Sequence, residues 1–168
     1  GEAARAGRCP AAGGQGRAGR SEAAMFAGRG QVNPQAGRDC SADVYAQAGV
    51  TDPRKQFDCA EVYVPFSWYE PMWLENLGFC AEGDGWKLTE AGATAPDGDI
   101  PWNPSGGVLS SNPIGASGMI RFGEAAQQVR ERAGDYQVEL KTGKALGHAY
   151  GGGSQFFSMW VVGNKKPE

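Results

Sequence analysis

Two glycine-rich stretches carry the side chains of this sequence that are best suited to chemistry. The first, WNPSGGVLSSNPIGASG at 102–118, contains Asn112 and no His, Cys, Asp or Glu. An Asn side chain cannot accept a proton from a thiol, but its amide N–H can donate a hydrogen bond to a carbonyl oxygen. The second, GHAYGGGSQ at 147–155, contains the only histidine, His148, followed by Tyr150. These residue types indicate carbonyl polarisation and proton transfer.

Two interpretations of the second stretch stand side by side. His148 and Tyr150 occupy alternate positions of an apolar run, so a strand places both on one face, where they can form an acid–base pair. A core histidine bonded to the backbone, with Tyr150 filling the core, explains the same pattern. Tyr63 and Tyr69 border the segment VPFSW, and Tyr69 fits a core or interface aromatic equally well.

The first stretch runs directly into a helical pattern, which favours a binding loop at a helix N-terminus. Its glycines permit tight turns and close approach to a ligand. The free N–H groups and the positive dipole end of the following helix favour an anion or a developing oxyanion. The phosphate-binding patterns GxxxxGK[ST] and GxGxxG are absent. A purely structural turn explains the spacing as well as a binding loop does.

The elements that must position these groups follow from capping and periodicity. RDCSADVYAQAGV predicts a helix capped by Asp39 or Ser41 and ended by Gly49. FDCAEVYVPF predicts a strand, and WYEPMWLENLGF predicts a helix that ends before Gly78. Residues 80–101 are expected to form a loop with an acidic surface.

A further helix and three strands are expected in the C-terminal part. Helical spacing predicts one buried face, with Arg121 and Gln128 on other faces and Gly134 at the helix end. The buried face consists of Met119, Phe122, Ala126, Val129 and Ala133. DYQVEL, KALGHAY and QFFSMWVV predict strands, the last two joined by GGGS as an antiparallel hairpin. The pattern indicates an α/β domain with a mixed sheet.

Composition separates residues 1–38 from residues 39–168. The first segment is rich in Gly, Ala and Arg, and we expect it to be flexible or poorly packed because it has little apolar surface to offset its ordering entropy. A basic arm for an acidic partner is the alternative. The remainder is expected to be one folded domain.

Charge and cysteine spacing argue against several classes of function and of binding site. A net charge of −3 and a pI near 5.3 argue against nucleic-acid binding, and no apolar run is long enough for a membrane span. The N-terminus shows no apolar signal core. The four cysteines match no zinc or redox spacing, EGDG lacks the ligands of a calcium loop, and no metal site is expected. Scattered thiols fit the reducing cytoplasm, with Cys59 as a buried apolar residue.

Three motifs together resemble a known family. NPSGGVLSSNPIGASG resembles the thiolase C-terminal signature N-x-x-GG-x-x-x-x-GHP-x-G-x-(S/T)-G. AEVYVPFSWYEPMWLENLGF resembles the segment E-(V/L)-(N/H)-(E/D)-x-F-(A/S) with its following E-x-LG, and HAYGGGSQ resembles the closing C-x-GGG turn. The motifs occur in the family's order across about residues 39–163. The resemblance is closest to the thiolase-like branch of lipid-transfer proteins and steroid side-chain aldolases.

The resemblance implies the C-terminal half of a fold built from two similar α/β halves, usually a dimer. It also implies a coenzyme A thioester as the substrate, with no permanently bound cofactor. The implied contacts to that thioester are Ser105, Gly106, Gly107, Gly115, Ser117 and Gly151.

Departures from the family pattern shift the expected reaction. Asn112 stands where thiolases have the His of GHP, Ala149 and Tyr150 stand where they have the second Cys, and Tyr63 stands at the Asn or His of the upstream motif. Thiolysis needs a Cys thiolate activated by a His and a second base for the α-carbon. These replacements therefore argue against ordinary thiolase chemistry.

The resemblance instead implies retro-aldol cleavage of a β-hydroxyacyl-CoA with a steroid or lipid side chain. Aldolases of this branch act with a partner that combines a zinc ribbon and an OB fold. Tyr150 is the first candidate for proton transfer and Tyr63 the second, with His148 as a further candidate. Asn112 and backbone N–H groups near Gly115 and Gly151 would hold the enolate oxygen. Two alternatives remain: an acyltransferase whose Cys comes from the N-terminal half, and a non-catalytic acyl-CoA or lipid-binding scaffold.

Overall fold

A computed structural model describes residues 16–21, 32–109 and 111–165. The helices and strands, in chain order, are β1 Gly16–Ser21, α1 Gln35–Ala48, α2 Pro53–Gln56, β2 Cys59–Val62, α3 Tyr69–Asn76, α4 Gly85–Glu90, α5 Ser117–Val129, β3 Lys144–Gly151 and β4 Phe156–Gly163. Short 3-10 helices lie at Ile114–Ala116 and Gly134–Tyr136.

The strands form one mixed sheet in the order β1-β4-β3-β2. β2 and β3 run parallel, whereas β3 pairs antiparallel with β4 and β4 pairs antiparallel with β1. The α/β class with a mixed sheet is therefore confirmed, and so is the closing hairpin. Because β2 and β3 run parallel, the segments that follow them emerge at the same edge of the sheet.

Helices cover both faces of this sheet. In β3, Leu146 packs in the larger apolar cluster with Trp73 and Leu74 of α3. Its neighbour Ala145 packs on the opposite face with Ala125 of α5. This alternation sends residues 146, 148 and 150 towards α1 and α3, and residues 145, 147 and 149 towards α5.

The first helix begins earlier than its capping residues predicted. α1 starts at Gln35 after Pro34, so Asp39 and Ser41 lie inside the helix and neither is its N-cap. The boundary at residue 38 thus falls within a helix. Glycine is required at position 37, because a Cβ there would collide with Oδ1 of Asn76.

Residues 16–21, within the segment that composition set apart, form the edge strand β1. It pairs with β4 from Gly16 opposite Val161 to Ser21 opposite Phe156. The sequence of β1, GRAGRS, has no alternation of apolar and polar residues, and pairing with β4 needs only backbone N–H and C=O groups. Apolar periodicity therefore could not predict this strand. The prediction for residues 1–15 and 22–31 lies outside the described residues.

Four other expectations are wrong. The predicted loop at 80–101 contains helix α4. DYQVEL forms a 3-10 turn and irregular backbone instead of a strand, because the Gln128 side chain bonds the carbonyl of Tyr136 and the N–H of Val138. In α5 the buried face includes Arg121 and Gln128, whereas Met119 is 70% exposed. The helix ends at Val129, not at Gly134.

Candidate functional site

The predicted chemical groups meet at the carboxyl ends of the two parallel strands. Tyr63 directly follows β2, Tyr150 lies one residue before the end of β3, and Asn112 lies in the loop that leads into α5. The rings of Tyr63 and Tyr150 have centroids 5.1 Å apart. The Tyr63 phenol donates a hydrogen bond of 3.2 Å to Oδ1 of Asn112. The structure therefore joins residues from three separate motifs in one site.

Tyr150 stands within a group of aromatic rings. The ring centroids of Tyr63, Tyr69 and Trp73 lie 5.1, 5.1 and 5.0 Å from that of Tyr150. Burial, with smaller contributions from the phenols of Tyr69 and Tyr63, raises the pKa of Tyr150 well above its ordinary value. The phenol is consequently neutral near pH 7, which is the opposite of what a phenolate base requires.

Asn112 is held in one orientation by three donors. Its Oδ1 accepts hydrogen bonds from the Tyr63 phenol, from Oγ of Ser117 at 2.9 Å and from the backbone N–H of Ile114 at 3.1 Å. These donors define which side of the amide is oxygen. The NH₂ group is then the hydrogen-bond donor of this exposed side chain. Asn112 is thus arranged as a hydrogen-bond donor to a carbonyl or enolate oxygen.

The loop around Asn112 is constrained at both ends. Ile114 has a φ of 50°, a left-handed conformation that is costly for a β-branched residue. Gly118, in the first turn of α5, approaches β3 so closely that a Cβ would lie 2.7 Å from the Cβ of Ala149. A side chain at position 118 would push the start of α5, and with it Ser117, away from the sheet.

His148 lies on the same face as Tyr150, as strand alternation predicted, but in the core. Its ring centroid is 5.2 Å from that of Trp73 and 5.8 Å from that of Phe157, and it is fully buried. Burial lowers its pKa to about 3. Neither ring nitrogen has a hydrogen-bond partner in the described part of the chain, so the predicted backbone bond is not present. The geometry favours a neutral core residue over an acid–base group.

The two predicted serine contacts face inward. Ser117 is fully buried and its hydroxyl holds Asn112, while the Ser105 hydroxyl donates to Oε2 of Glu61 at 2.8 Å. Both hydroxyls therefore make hydrogen bonds within the protein, and a contact of either serine with a thioester stays a prediction. Gly106 and Gly107 shape the adjacent turn with φ values of 92° and 63°, which favour glycine.

The remaining predicted contacts are two glycines with room around them. A Cβ built at Gly115 or at Gly151 would meet no heavy atom within 4 Å in the described part of the chain. Gly151 closes β3, and its carbonyl accepts from the N–H of Gln155. Open space beside backbone at these two positions is compatible with close approach of a ligand.

Sequence reasoning missed a buried ion pair beneath the site. Glu61 of β2 and Arg121 of α5 are both almost fully buried, and Nη1 of Arg121 donates to Oε2 of Glu61. Burial raises the pKa of Glu61, although Arg121 and the Ser105 donors oppose that shift. A carboxylate inside the apolar run CAEVYV was the available signal, because such a group needs a charged partner when it is buried.

A family model described as "Thiolase C-terminal domain-like" matches residues 18–164. The chain belongs to the thiolase C-terminal domain-like family. The resemblance read from the three motifs is confirmed.

Curated relatives of this thiolase-like chain include both thiolases and carriers. Acetyl-CoA acetyltransferase of Methanothermobacter thermautotrophicus is 43% identical over 49% of the chain and 22% of the relative. Benzoylsuccinyl-CoA thiolase subunit BbsB of Thauera aromatica is 32% identical over 66% of the chain and 28% of the relative. Human sterol carrier protein 2 is 34% identical over 79% of the chain and 23% of the relative, which supports the lipid-transfer branch.

A solved structure shares the fold. The Ltp2-ChsH2(DUF35) aldolase superposes with a TM-score of 0.75 and 24% identity, over 90% of this chain and 39% of that one. The thiolase-like chain thus spans about a quarter of the length of the curated relatives it matches. In the part of the chain that the structure describes, no helix has the length and apolarity to cross a membrane.

Proposed function

We propose that this chain is the C-terminal half of an acyl-CoA carbon–carbon lyase that performs retro-aldol cleavage of a β-hydroxyacyl-CoA with a bulky steroid or lipid side chain. The observation that carries the proposal is the connected group of Tyr150, Tyr63 and Asn112. It offers two phenols and a fixed amide donor around the positions where the thiolase motifs carry Cys and His. Such a set suits enolate chemistry without a thiolate.

Retro-aldol cleavage consumes no net proton, because the β-hydroxyl loses one and Cα gains one. A neutral phenol can therefore relay the proton between these two atoms. The β-hydroxyl proton passes to Oη of Tyr150 while the phenol gives its own proton to Cα of the same substrate, so the phenol is neutral before and after the reaction. The O–H electrons form the new carbonyl, the Cα–Cβ bond breaks, and its electron pair forms the thioester enolate. Protonation of Cα through the same phenol completes the balance. The products are a ketone or aldehyde and a shorter acyl-CoA, with no oxidation or reduction.

Asn112 is assigned to the enolate oxygen. Its NH₂ group donates to the thioester oxygen as negative charge develops there, assisted by backbone N–H groups near Gly115 and Gly151. Because Ser117 and Tyr63 fix the amide, little reorganisation accompanies that charge. Tyr63 therefore orients Asn112 and is the second candidate for proton transfer.

Coenzyme A is proposed as the carrier of the substrate, held beside the glycine turns at 106–107 and 115. The chain is proposed to act with an N-terminal half of the thiolase type, as a dimer in the cytoplasm. A partner with a zinc ribbon and an OB fold is also proposed. The structural neighbour, described as a complex with a DUF35 component, supports that proposal.

Product analysis of the complete protein with its partner tests the proposal. A β-hydroxyacyl-CoA with a ring-bearing, branched acyl group is expected to yield a ketone and a shorter acyl-CoA, identified by mass spectrometry. Acyl transfer products would instead support the acyltransferase that borrows a Cys from the other half. Binding without turnover, in the presence of the partner, would support a scaffold or carrier and contradict a lyase.

A further inference from the structure

Glu61 and Arg121 connect three segments next to the candidate site, namely β2, α5 and the turn at 105–107. Glu61 lies in β2, two positions before Tyr63, and Arg121 lies in α5, one turn after Ser117. Both carboxylate oxygens of Glu61 accept from Ser105, Oε1 from its N–H at 3.0 Å and Oε2 from its hydroxyl at 2.8 Å. Arg121 donates from Nη1 to Glu61 and to Oγ of Ser105, and from Nη2 to the carbonyl of Gly107.

This arrangement is poorly explained as a device for stability alone. Removing two charges from water costs several kcal/mol per ion, and apolar residues of similar volume often stabilise a core as well or better. Nε of Arg121 is also buried without a hydrogen-bond partner among the described residues, which adds to the cost. An apolar replacement, however, would not tie β2, α5 and the turn at 105–107 to one another in a fixed geometry.

We infer that the Glu61–Arg121 pair positions the reacting groups by fixing the end of β2 against the start of α5. Two of the three donors that hold Asn112 come from these same two elements, Tyr63 from the end of β2 and Ser117 from α5. A shift between the elements therefore separates donors that must converge on one oxygen. This inference rests on the proposed function for its kinetic consequence, but its structural consequence is independent of any reaction.

Paired substitutions in the complete protein separate positioning from stability. Glu61→Gln and Arg121→Met each leave one buried group without its charged partner, so both are expected to lower the melting temperature and kcat. The double variant Glu61→Gln/Arg121→Met removes both charges and is expected to recover most of the lost melting temperature. Its kcat is expected to stay about tenfold or more below that of the wild type, with KM changed far less, because small misplacements of reacting groups reduce rate steeply.

Gln128→Met is the matched control. Gln128 is a fully buried polar residue of the same helix, but its partners are Tyr136 and Val138, away from Asn112. It is expected to lower the melting temperature and to leave kcat of the folded protein unchanged. If the double variant recovers kcat together with its melting temperature, the pair is only structural and the inference is wrong.

Hydrogen exchange provides a readout that does not depend on activity. In the double variant, amides in 103–107 and 112–118 are expected to exchange faster, while those of β3 and β4 keep their protection. Unchanged exchange in both segments would overturn the inference even if the protein is an active lyase. Faster exchange in a protein without lyase activity would support the inference and reject the proposed reaction.

Discussion

The Tyr63 phenol and the Asn112 side chain are joined by a hydrogen bond of 3.2 Å across 49 positions of sequence. Each stands where the thiolase pattern has a different residue, and the two replacements are complementary because Oδ1 of Asn112 accepts from the phenol. Tyr63 also lies against Tyr150, which together with Ala149 occupies the region where the pattern has the second Cys. The departures from the family pattern therefore form one connected group of side chains.

Replacing Tyr150 by Phe removes the proposed proton relay and keeps the ring in its aromatic surroundings. Ketone release is expected to fall by about 100-fold or more, within the usual range for a lost acid–base group. Acyl-CoA binding, measured by calorimetry, is expected to persist. Tyr45→Phe is the control, because the Tyr45 phenol bonds the carbonyl of Leu77 in the larger core cluster. Unchanged turnover in Tyr150→Phe would reject the assignment.

Ionisation of Tyr150 is expected to contribute no pH dependence to kcat between about pH 7 and 9.5. Burial raises the pKa of Tyr150 above its ordinary value of 10.0, so its phenol keeps its proton throughout this range. A relay uses the protonated form, whereas a phenolate base would become more abundant as the pH rises. A tenfold increase in kcat per pH unit, absent in Tyr150→Phe, would show that Tyr150 acts as a phenolate instead.

Asn112→Asp replaces the proposed oxyanion donor by a group of the same shape without N–H donors. A loss of about 100- to 1000-fold in kcat is expected, as for removal of one oxyanion donor elsewhere. Ser117→Ala removes one of the groups that orient Asn112 and is expected to give a smaller loss of kcat. Steady-state kinetics of both variants provide the measurement. Equal losses of kcat in the two variants would contradict the assignment of Asn112 as the donor and of Ser117 as the residue that orients it.

Gly118→Ala tests the contact between α5 and β3. The added methyl group would lie 2.7 Å from the Cβ of Ala149, so the first turn of the helix must move outward. We expect the melting temperature to fall and kcat to fall with it, because Ser117 moves away from Asn112. Gly123→Ala, in the same helix with open space around the position, is the control and is expected to be neutral or slightly stabilising. Normal activity in Gly118→Ala would show that the close approach does not serve the site.

His148 predicts a specific dependence of stability on pH. Because burial lowers its pKa from 6.5 to about 3, the unfolded state binds a proton that the folded state does not bind between those values. Its contribution is complete above pH 6.5 and decreases as the pH falls, by about 1.4 kcal/mol per pH unit. The free energy of unfolding of the wild type should therefore decrease more between pH 7 and 5 than that of His148→Met. Identical slopes would indicate a charged or solvated His148.

Isolated preparations of this chain are expected to associate. Leu109, Ile114 and Met119 expose large apolar side chains beside the candidate site, where a second thiolase half is proposed to pack. Light scattering is expected to show concentration-dependent association, reduced in Leu109→Lys/Met119→Lys. A stable monomer at all concentrations would argue that this surface has no such partner.

Local patterns predicted the strands that carry Tyr63 and Tyr150. They did not predict the buried ion pair beneath the site or the edge strand β1. The motifs around Tyr63, Asn112 and Tyr150 were visible because each combines apolar runs with turn residues. Arg121 was predicted to lie off the buried face of its helix, because helical periodicity follows apolar residues and does not show that Glu61 of β2 packs against that helix. β1 was missed for a similar reason, because its pairing with β4 uses backbone groups.

The dependence of cleavage on free coenzyme A tests the central claim most directly. Retro-aldol cleavage of a β-hydroxyacyl-CoA consumes no second thiol, whereas thiolysis consumes one coenzyme A for each bond broken. In the complete protein with its partner, we expect a ketone or aldehyde and a shorter acyl-CoA to form at the same rate with and without added coenzyme A. A strict requirement for coenzyme A, together with cleavage of the β-ketoacyl-CoA, would contradict the account.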